Sequence, residues 1–389
     1  MGRISMRVAV VHSFYRSDQP SGENVAVLQQ VGALRNAGIE ILEVFRSTDE
    51  ESEAPLYKVR SAISVASGLD FGHPERMIAD FQPDLVHVHN TFPNFGTRWL
   101  TKLQMPLVTT LHNFRASCAN GLLYRDGHLC LECPTSGSTS AFTHGCYQGS
   151  RAASLPAAIS TAGGAKGNRL LKASAAIITQ SARVHSFMLQ EGIPEARLHL
   201  IPGFVEEHHT QVTEAPKTPR FIFVGRNSPE KGLAELLEIW PQDLQLDVVG
   251  TDGAVSANRD GHARVRYLGV QGRAWISEHL PTYTALVFPG RVWEGAYPLV
   301  VREALEAGVP VVALAESGAA DLIHECNAGA IYEDGSESHL RNALEAMIEG
   351  RQQLRLRARE VFKQKLTEDM WLTHVRAVYG QAVASTVSS

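Results

Sequence analysis

No apolar run in this chain reaches the roughly 18 to 20 residues that a bilayer-spanning helix needs. The N-terminus does not read as a secretory signal either. Arg7 interrupts it, and Val8 to Val11 is too short for an apolar signal core, so a cytoplasmic location is expected. Positive charge is not in excess: the formal net charge is -5, which argues against a general nucleic-acid binder. No Gly-x-Gly-x-x-Gly follows a predicted strand, so a dinucleotide-binding reading has little support. Short tandem repeats and low-complexity segments are absent. Cysteine is scarce, with five in the chain, yet four of them fall between Cys118 and Cys146.

What is present fits an ordinary globular protein, with 44% hydrophobic and 20% charged residues. A length of 389 residues is too great for one core, so two domains are expected. The first begins with the β-branched run Arg7 to Val11, a polar loop to Gly22, a helical period over Glu23 to Ala37 and a strand over Ile39 to Phe45. That β-loop-α-β opening starts a doubly wound α/β domain. Thr48 to Ser67 is charged and reads as irregular. Further strands are expected at Leu85 to His89, Leu107 to Leu111, Ala175 to Thr179 and Leu198 to Ile201. Gly163 to Gly167 reads as a flexible loop. Glu206 to Pro219 is polar and aperiodic, and the domain boundary is placed there. The alternation then restarts with strands at Phe221 to Gly225, Leu244 to Gly250 and Val265 to Leu268. A strand-loop-helix-strand-loop-helix stretch follows from Ala285 to Glu325. Trp371 to Ala384 is a last helix with no strand after it. The predicted division is 1–205, 206–370 and a terminal helix 371–389.

Loops after the carboxyl ends of parallel strands are where ligands bind in such sheets. One holds Gly225-Arg226-Asn227-Ser228-Pro229-Glu230-Lys231-Gly232, with two cations near a helix start, a combination that suits a diphosphate. A solvated loop is the plain alternative. Another holds Glu294, and the helix after it carries Glu303, either of which can accept from sugar hydroxyls. For Glu303 the plain alternative is a carboxylate favoured by the helix dipole. His112 ends a strand at the sheet edge that also holds Gly22, and it could donate to a hydroxyl or a phosphate oxygen. His87 and His89 read as structural. Ser21-Gly22 permits close approach of backbone to phosphate, but it is also ordinary turn chemistry.

Residues 114–150 break the α/β pattern, and a loop this long is functional or separately stabilised. Cys118, Cys130, Cys133 and Cys146 form C-x11-C-x2-C-x12-C. In a reducing compartment this spacing suggests a structural four-thiolate zinc site, with four unligated thiols as the alternative. His128 and His144 are reserve ligands. Cys326 reads as a buried or incidental thiol.

Six segments together resemble the GT-B glycosyltransferases of family GT4: VVHSFYRSDQPSGENVAVLQQVGALRNAGIE, LVHVHNTFP, VTTLHNFR, LHLIPGFVE, FIFVGRNSPEKGL and WEGAYPLVVREALEAGVPVVALAESGAADLI. They run from about residue 7 to 325 in matching order. The segment CANGLLYRDGHLCLEC…HGCYQGSR is similar to an insertion in a subgroup of bacterial polysaccharide enzymes.

The resemblance implies two Rossmann-like domains facing a cleft, with a C-terminal helix crossing back to the first. It implies an α-linked UDP- or GDP-sugar donor, transfer with retention of configuration, and no dedicated catalytic metal. Arg226 and Lys231, beside Gly225, match the basic pair that neutralises the diphosphate, and Glu303 matches the ribose-holding glutamate. Leu299 and Val300 match backbone positions near the diphosphate and ribose. His112 matches the histidine near the donor sugar, and Gly22 the glycine loop over the phosphates. Glu294 and Glu303 stand one residue further apart than the family pattern. Either a bulge keeps Glu294 on the sugar, or Gly295 takes that place. The implied acceptor is a hydroxyl of a glycan, a lipid-linked glycan or a small molecule. The weakly basic Arg151 to Lys172 stretch offers a peripheral membrane contact, or simply a solvated face. A sugar-nucleotide epimerase or hydrolase, and a non-catalytic sugar-nucleotide binder, are the alternative functions.

Overall fold

The computed structural model describes residues 6–18, 21–251 and 264–387. Pro20, within the predicted first loop, lies outside them. The chain divides into two units. The first holds Met1–Arg125, Cys130–Gly203 and Trp371–Ser389; the second holds Asp126–Leu129 and Phe204–Met370.

In the first unit, strands β1 (Arg7–Phe14), β2 (Glu40–Ser47), β3 (Leu85–Asn90), β4 (Leu107–Leu111), β5 (Ala176–Thr179) and β6 (Leu198–Leu200) form a parallel sheet. Their order is β2-β1-β3-β4-β5-β6. The β1 run Val8–Val11 is fully buried because it lies mid-sheet, with Val8 beside both Ile41 and Leu85. The register shifts between Val11 and His12, so His12 lies beside Asn90. Ser21 caps the helix Gly22–Asn36, its hydroxyl accepting from the Asn24 N–H.

In the second unit, β7 (Arg220–Val224), β8 (Gln245–Val249), β9 (Val265–Tyr267), β10 (Ala285–Phe288), β11 (Val311–Leu314) and β12 (Gly329–Tyr332) are ordered β9-β8-β7-β10-β11-β12, all parallel. Both faces are covered, as parallel sheets require. Ile222, Leu286, Val311 and Ala313 pack with Val301, Ala304 and Leu305 of the helix Leu299–Glu306. Phe221, Phe223, Val287 and Val312 face the other way, against Leu233, Leu236, Leu237 and Leu340. Fully burying each Val, Leu, Ile or Phe among them contributes about 1.5–3 kcal/mol.

Several segments differ from the sequence reading. Thr48–Glu51 and Tyr57–Ser67 are helices, not irregular chain. Ser47 caps the first, its hydroxyl accepting from the Asp49 N–H. The second keeps Val59 and Ile63 exposed, so apolar periodicity could not mark it. Gly164–Gly167 forms a single helical turn instead of a loop. Strand β12 and the helix Arg273–His279 have no counterpart in that reading. The buried Glu306 carboxylate accepts from the His208 and His209 N–H groups at 2.9 and 2.8 Å. No helix among the described residues is long and apolar enough to cross a membrane.

Candidate functional site

In the second sheet the strand order reverses between β7 and β10, and a ligand crevice forms beyond the carboxyl ends of strands at such a point. The loop after β7 runs from Gly225 through the 3-10 turn Pro229–Lys231, and the loop after β10 runs from Pro289 to Pro298. The two are pinned together. The Arg291 N–H donates to the Glu230 carbonyl at 2.9 Å. Gly232 sits at φ +69°, where a Cβ would lie 2.2 Å from the Pro289 carbonyl oxygen, so only glycine fits.

This pinning brings Lys231 and Glu294 together. Lys231 Nζ donates to Glu294 Oε1 at 2.7 Å, with both side chains about three-quarters buried. Arg226 is not drawn in with them. Its side chain is 60% exposed and stands 3.6 Å from Glu230. The loop after β11 supports Glu294 from behind. The Gly318 N–H donates to the Val292 carbonyl at 3.0 Å, and a Cβ on Gly318 would lie 3.1 Å from Glu294 Cβ.

The helix Leu299–Glu306 begins beside these loops with Pro298 as its N-cap and no side-chain cap. The Pro298 carbonyl accepts from the Val301 and Arg302 N–H groups. Leu299 and Val300 are thus the first-turn positions whose amides have no intrahelical acceptor, and they favour an anion. Glu303 follows one turn on. Its Oε1 accepts from Arg273 Nη2 at 2.9 Å. Burial pushes its carboxyl up, and the Arg273 guanidinium opposes that shift. Arg302 is buried, donating to the Tyr297 carbonyl at 3.0 Å and the Phe204 carbonyl at 2.9 Å. Burial lowers its pKa to about 10. Arg302 therefore holds the end of the Glu294 loop. Neither it nor Arg273 was legible in the sequence. Arg302 sits among apolar helix positions, and its acceptors are backbone carbonyls that leave no pattern.

In the first unit, His112 follows β4 with both ring nitrogens engaged. Its Nε2 lies 3.0 Å from His89 Nδ1, and its Nδ1 lies 3.0 Å from Gln180 Nε2. Gln180 Nε2 is a donor, so His112 Nδ1 accepts and the Nε2–H of the neutral ring points to His89. Burial holds His89 well below the usual histidine range, which keeps it neutral and able to accept. A ligand bond to His112 must therefore replace one of these two. His112, His89, Asn90, Phe92, Asn113 and Arg115 line a cavity of about 270 Å³. Arg115 stacks over Phe92 at 3.9 Å and donates to the Ala119 carbonyl. Gly22 begins its helix with nothing within 4 Å of the place a Cβ would take, so its backbone is open to approach. Glu23 beside it accepts from Asn113 Nδ2 at 3.1 Å, and burial pushes its carboxyl up to about 7.

The four clustered cysteines are free and line one small pocket with Asn120, Arg125 and Glu132. Burial pushes the Cys133 thiol up to about 11, with the neighbouring Cys118 and Cys146 thiols adding to the shift. The reserve ligands do not join them. His144 pairs with Glu132 at 3.3 Å, and His128 Nδ1 lies 3.1 Å from the Asp126 carbonyl. Cys326 is buried in the second unit's core.

Two six-stranded parallel sheets of this kind define the GT-B glycosyltransferase fold. Solved structures of similar fold include sucrose-phosphate synthase from Thermosynechococcus elongatus, with a TM-score of 0.65 at 16% identity, covering 98% of this chain and 100% of that one. The lipopolysaccharide outer core galactosyltransferase WaaB, in apo form, gives 0.62 at 15% identity over 97% and 100%. Anabaena HepE in complex with UDP gives 0.55 at 15% identity over 98% and 100%. The sequence pattern of "Glycosyl transferases group 1" matches residues 204–365, and that of "Glycosyltransferase Family 4" matches residues 20–209. The chain belongs to glycosyltransferase family 4. It is 28% identical over 195 residues to the GDP-mannose-dependent alpha-mannosyltransferase of Mycolicibacterium smegmatis, across 46% of this chain and 49% of that protein. The chain thus spans about half the length of the curated relative it matches.

Proposed function

We propose that this chain is a retaining glycosyltransferase that moves a sugar from an α-linked nucleoside-diphosphate sugar to a hydroxyl of a glycan or lipid-linked acceptor. The observation that carries this reading is the convergence of Lys231, Glu294 and the uncapped start of Leu299–Glu306 at the switch point of the second sheet. Lys231, Arg226 and the Leu299 and Val300 amides compensate the diphosphate. Glu303 accepts from the ribose hydroxyls, releasing Arg273. Glu294 accepts from a sugar hydroxyl.

In the reaction, the bond from the sugar's anomeric carbon to the β-phosphate oxygen breaks, and its electron pair leaves with the diphosphate. The acceptor oxygen bonds to the anomeric carbon on the same face. Its proton passes to the departing phosphate oxygen, so no strong enzymic base is needed. Stabilising the charge that develops on the leaving group is the main contribution asked of the protein. The cavity beside His112 in the first unit is assigned to the acceptor side. Its mixed lining, Phe92 with Asn113 and Arg115, suits a sugar ring bearing polar groups. A cytoplasmic location, peripheral to the membrane for a lipid-linked acceptor, accompanies this reading.

The donor base has two precedents among the similar proteins: UDP in the HepE complex and GDP-mannose in the mannosyltransferase's name. Thermal unfolding against UDP-, GDP- and ADP-sugars distinguishes them, because a donor that binds only the native state raises the melting temperature. The combined Arg226→Ala and Lys231→Ala variant is expected to fold normally and to lose transfer. Unchanged turnover by that variant rejects the proposal, and donor hydrolysis without transfer to any acceptor favours the hydrolase alternative.

A further inference from the structure

We infer that Cys118, Cys130, Cys133 and Cys146 form a binding site for one thiophilic divalent cation, zinc in particular. Among the described residues, no group of three or more His, Cys, Asp or Glu side chains is placed to hold a metal ion, these four cysteines included. The four thiols nonetheless line a single void of about 10 Å³. That is room for one atom-sized occupant and too little for an organic ligand. No two of the four are joined as a disulfide.

The backbone around each thiol is already fixed. The Cys118 N–H donates to the Phe114 carbonyl at 2.9 Å, and the Cys118 carbonyl accepts from the Gly121 N–H at 3.0 Å. The Cys130 N–H donates to Leu123 at 2.8 Å, and the Cys133 carbonyl accepts from Gly137 at 3.0 Å. The Cys146 N–H donates to Ala141 at 3.1 Å, just after Gly145 ends a short helix in the left-handed region. The four cysteines thus stand on hydrogen-bonded backbone around one void, and binding a cation requires their side chains to rearrange, because no three of them are placed to hold an ion as they stand. Zinc with four thiolates closes at about 2.3 Å per bond. Each thiol would release its proton to solvent, leaving a centre of net charge near minus two. Arg125, which lines the same void, is the cation beside it. The apolar backing is thin, Ala119, Ala141, Ala157 and Ala158, so metal bonds would supply cohesion that side-chain burial does not.

The site also has a purpose within the first unit. Arg115 lies three residues before Cys118; its guanidinium stacks over Phe92 at 3.9 Å, and Tyr147, the residue after Cys146, meets Phe92 edge-on at 5.4 Å and lies 5.8 Å from the guanidinium. A metal joining Cys118 to Cys146 would hold both ends of that clasp, and with it the wall of the cavity next to His112. The inference does not depend on glycosyl transfer.

The test uses the full chain, purified under reducing conditions without chelator. Elemental analysis is expected to find about one zinc per chain. The cobalt-substituted protein is expected to show sulfur-to-metal charge-transfer absorption of a four-thiolate site. The Cys130→Ser/Cys133→Ser variant is expected to lose the zinc and to melt at a lower temperature. Should that variant fail to fold, the zinc content and cobalt spectrum of the unaltered chain decide. A folded, metal-free protein that binds no zinc when supplied, with all four thiols reactive, overturns the inference. So does mass spectrometry showing the four cysteines paired as disulfides.

Discussion

His87 Nδ1 lies 2.7 Å from the hydroxyl of Tyr379, and both side chains are fully buried. The other ring nitrogen lies 2.8 Å from Thr110 Oγ1. Through these bonds the last helix is joined to β3 and β4 by buried polar contacts. Tyr379→Phe keeps the ring's volume and leaves one histidine nitrogen unsatisfied. The expected loss is about 1–3 kcal/mol of unfolding free energy, measured by urea denaturation. A change under about 0.3 kcal/mol would show that water or another group replaces the hydroxyl.

Burial lowers the pKa of His12 to about 4 and of His87 to about 3, and holds His89 well below the ordinary value of 6.5. Their folded values lie below the unfolded one, so the unfolded chain binds more protons between these limits. Their contribution to stability is full above about pH 6.5 and is lost as the pH falls toward 4. Each neutral histidine contributes a slope of about 1.4 kcal/mol per pH unit where only the unfolded form is protonated. His12→Asn, which leaves an amide facing Asn24, is expected to reduce the slope between pH 4 and 6.5 by about that amount. An unaltered slope, measured by denaturation at several pH values, contradicts the burial argument.

Glu23 carries the opposite sign. Its folded carboxyl is raised to about 7 by burial, above the ordinary 4.5. The folded chain therefore binds the extra proton, and stability falls as the pH rises from about 4.5 through 7. The penalty at pH 8 is on the order of 3 kcal/mol. Glu23→Gln keeps the Asn113 contact in reach and removes the charge. It is expected to stabilise the chain at pH 8, to change little at pH 5, and to flatten the difference curve between them. A difference between variant and unaltered chain that is the same at pH 5 and pH 8 would mean that the carboxylate is already compensated.

The strands were legible wherever buried β-branched or apolar runs are bounded by proline or glycine. Leu107–Leu111, Ala285–Phe288 and Val311–Leu314 occupy the ranges that their sequence marks. Gly329–Tyr332 was not, because Gly-Ala-Ile-Tyr has a single β-branched residue and becomes a strand by pairing with β11. The helix Tyr57–Ser67 was not, because it buries only Ser64 and leaves its larger side chains half-covered. At the site, the motif residues could be named, but their partners could not. Lys231 and Glu294 are 63 residues apart and meet only through the order of β7 and β10. Arg273 sits in a helix that periodicity did not reveal, and Gln180 reaches His112 from the end of β5.

The Lys231–Glu294 pair gives the extra residue between Glu294 and Glu303 a testable consequence. The loop is held at Tyr297 by Arg302 and behind Glu294 by Gly318, so the carboxylate is directed to the lysine at 2.7 Å. In the proposed donor mode, a diphosphate at Lys231 competes with that carboxylate. Glu294→Gln keeps the shape and removes the competing charge. A partly buried charge pair of this kind is worth about 1 kcal/mol, so nucleoside diphosphate alone is expected to bind roughly five-fold tighter. Turnover with the complete donor is expected to fall about ten-fold or more, because the sugar loses its charged acceptor. Calorimetric titration with UDP and GDP, beside kcat and KM for transfer, separates the two effects. Weaker diphosphate binding by the variant would show that Glu294 orients Lys231 for the phosphate instead of opposing it.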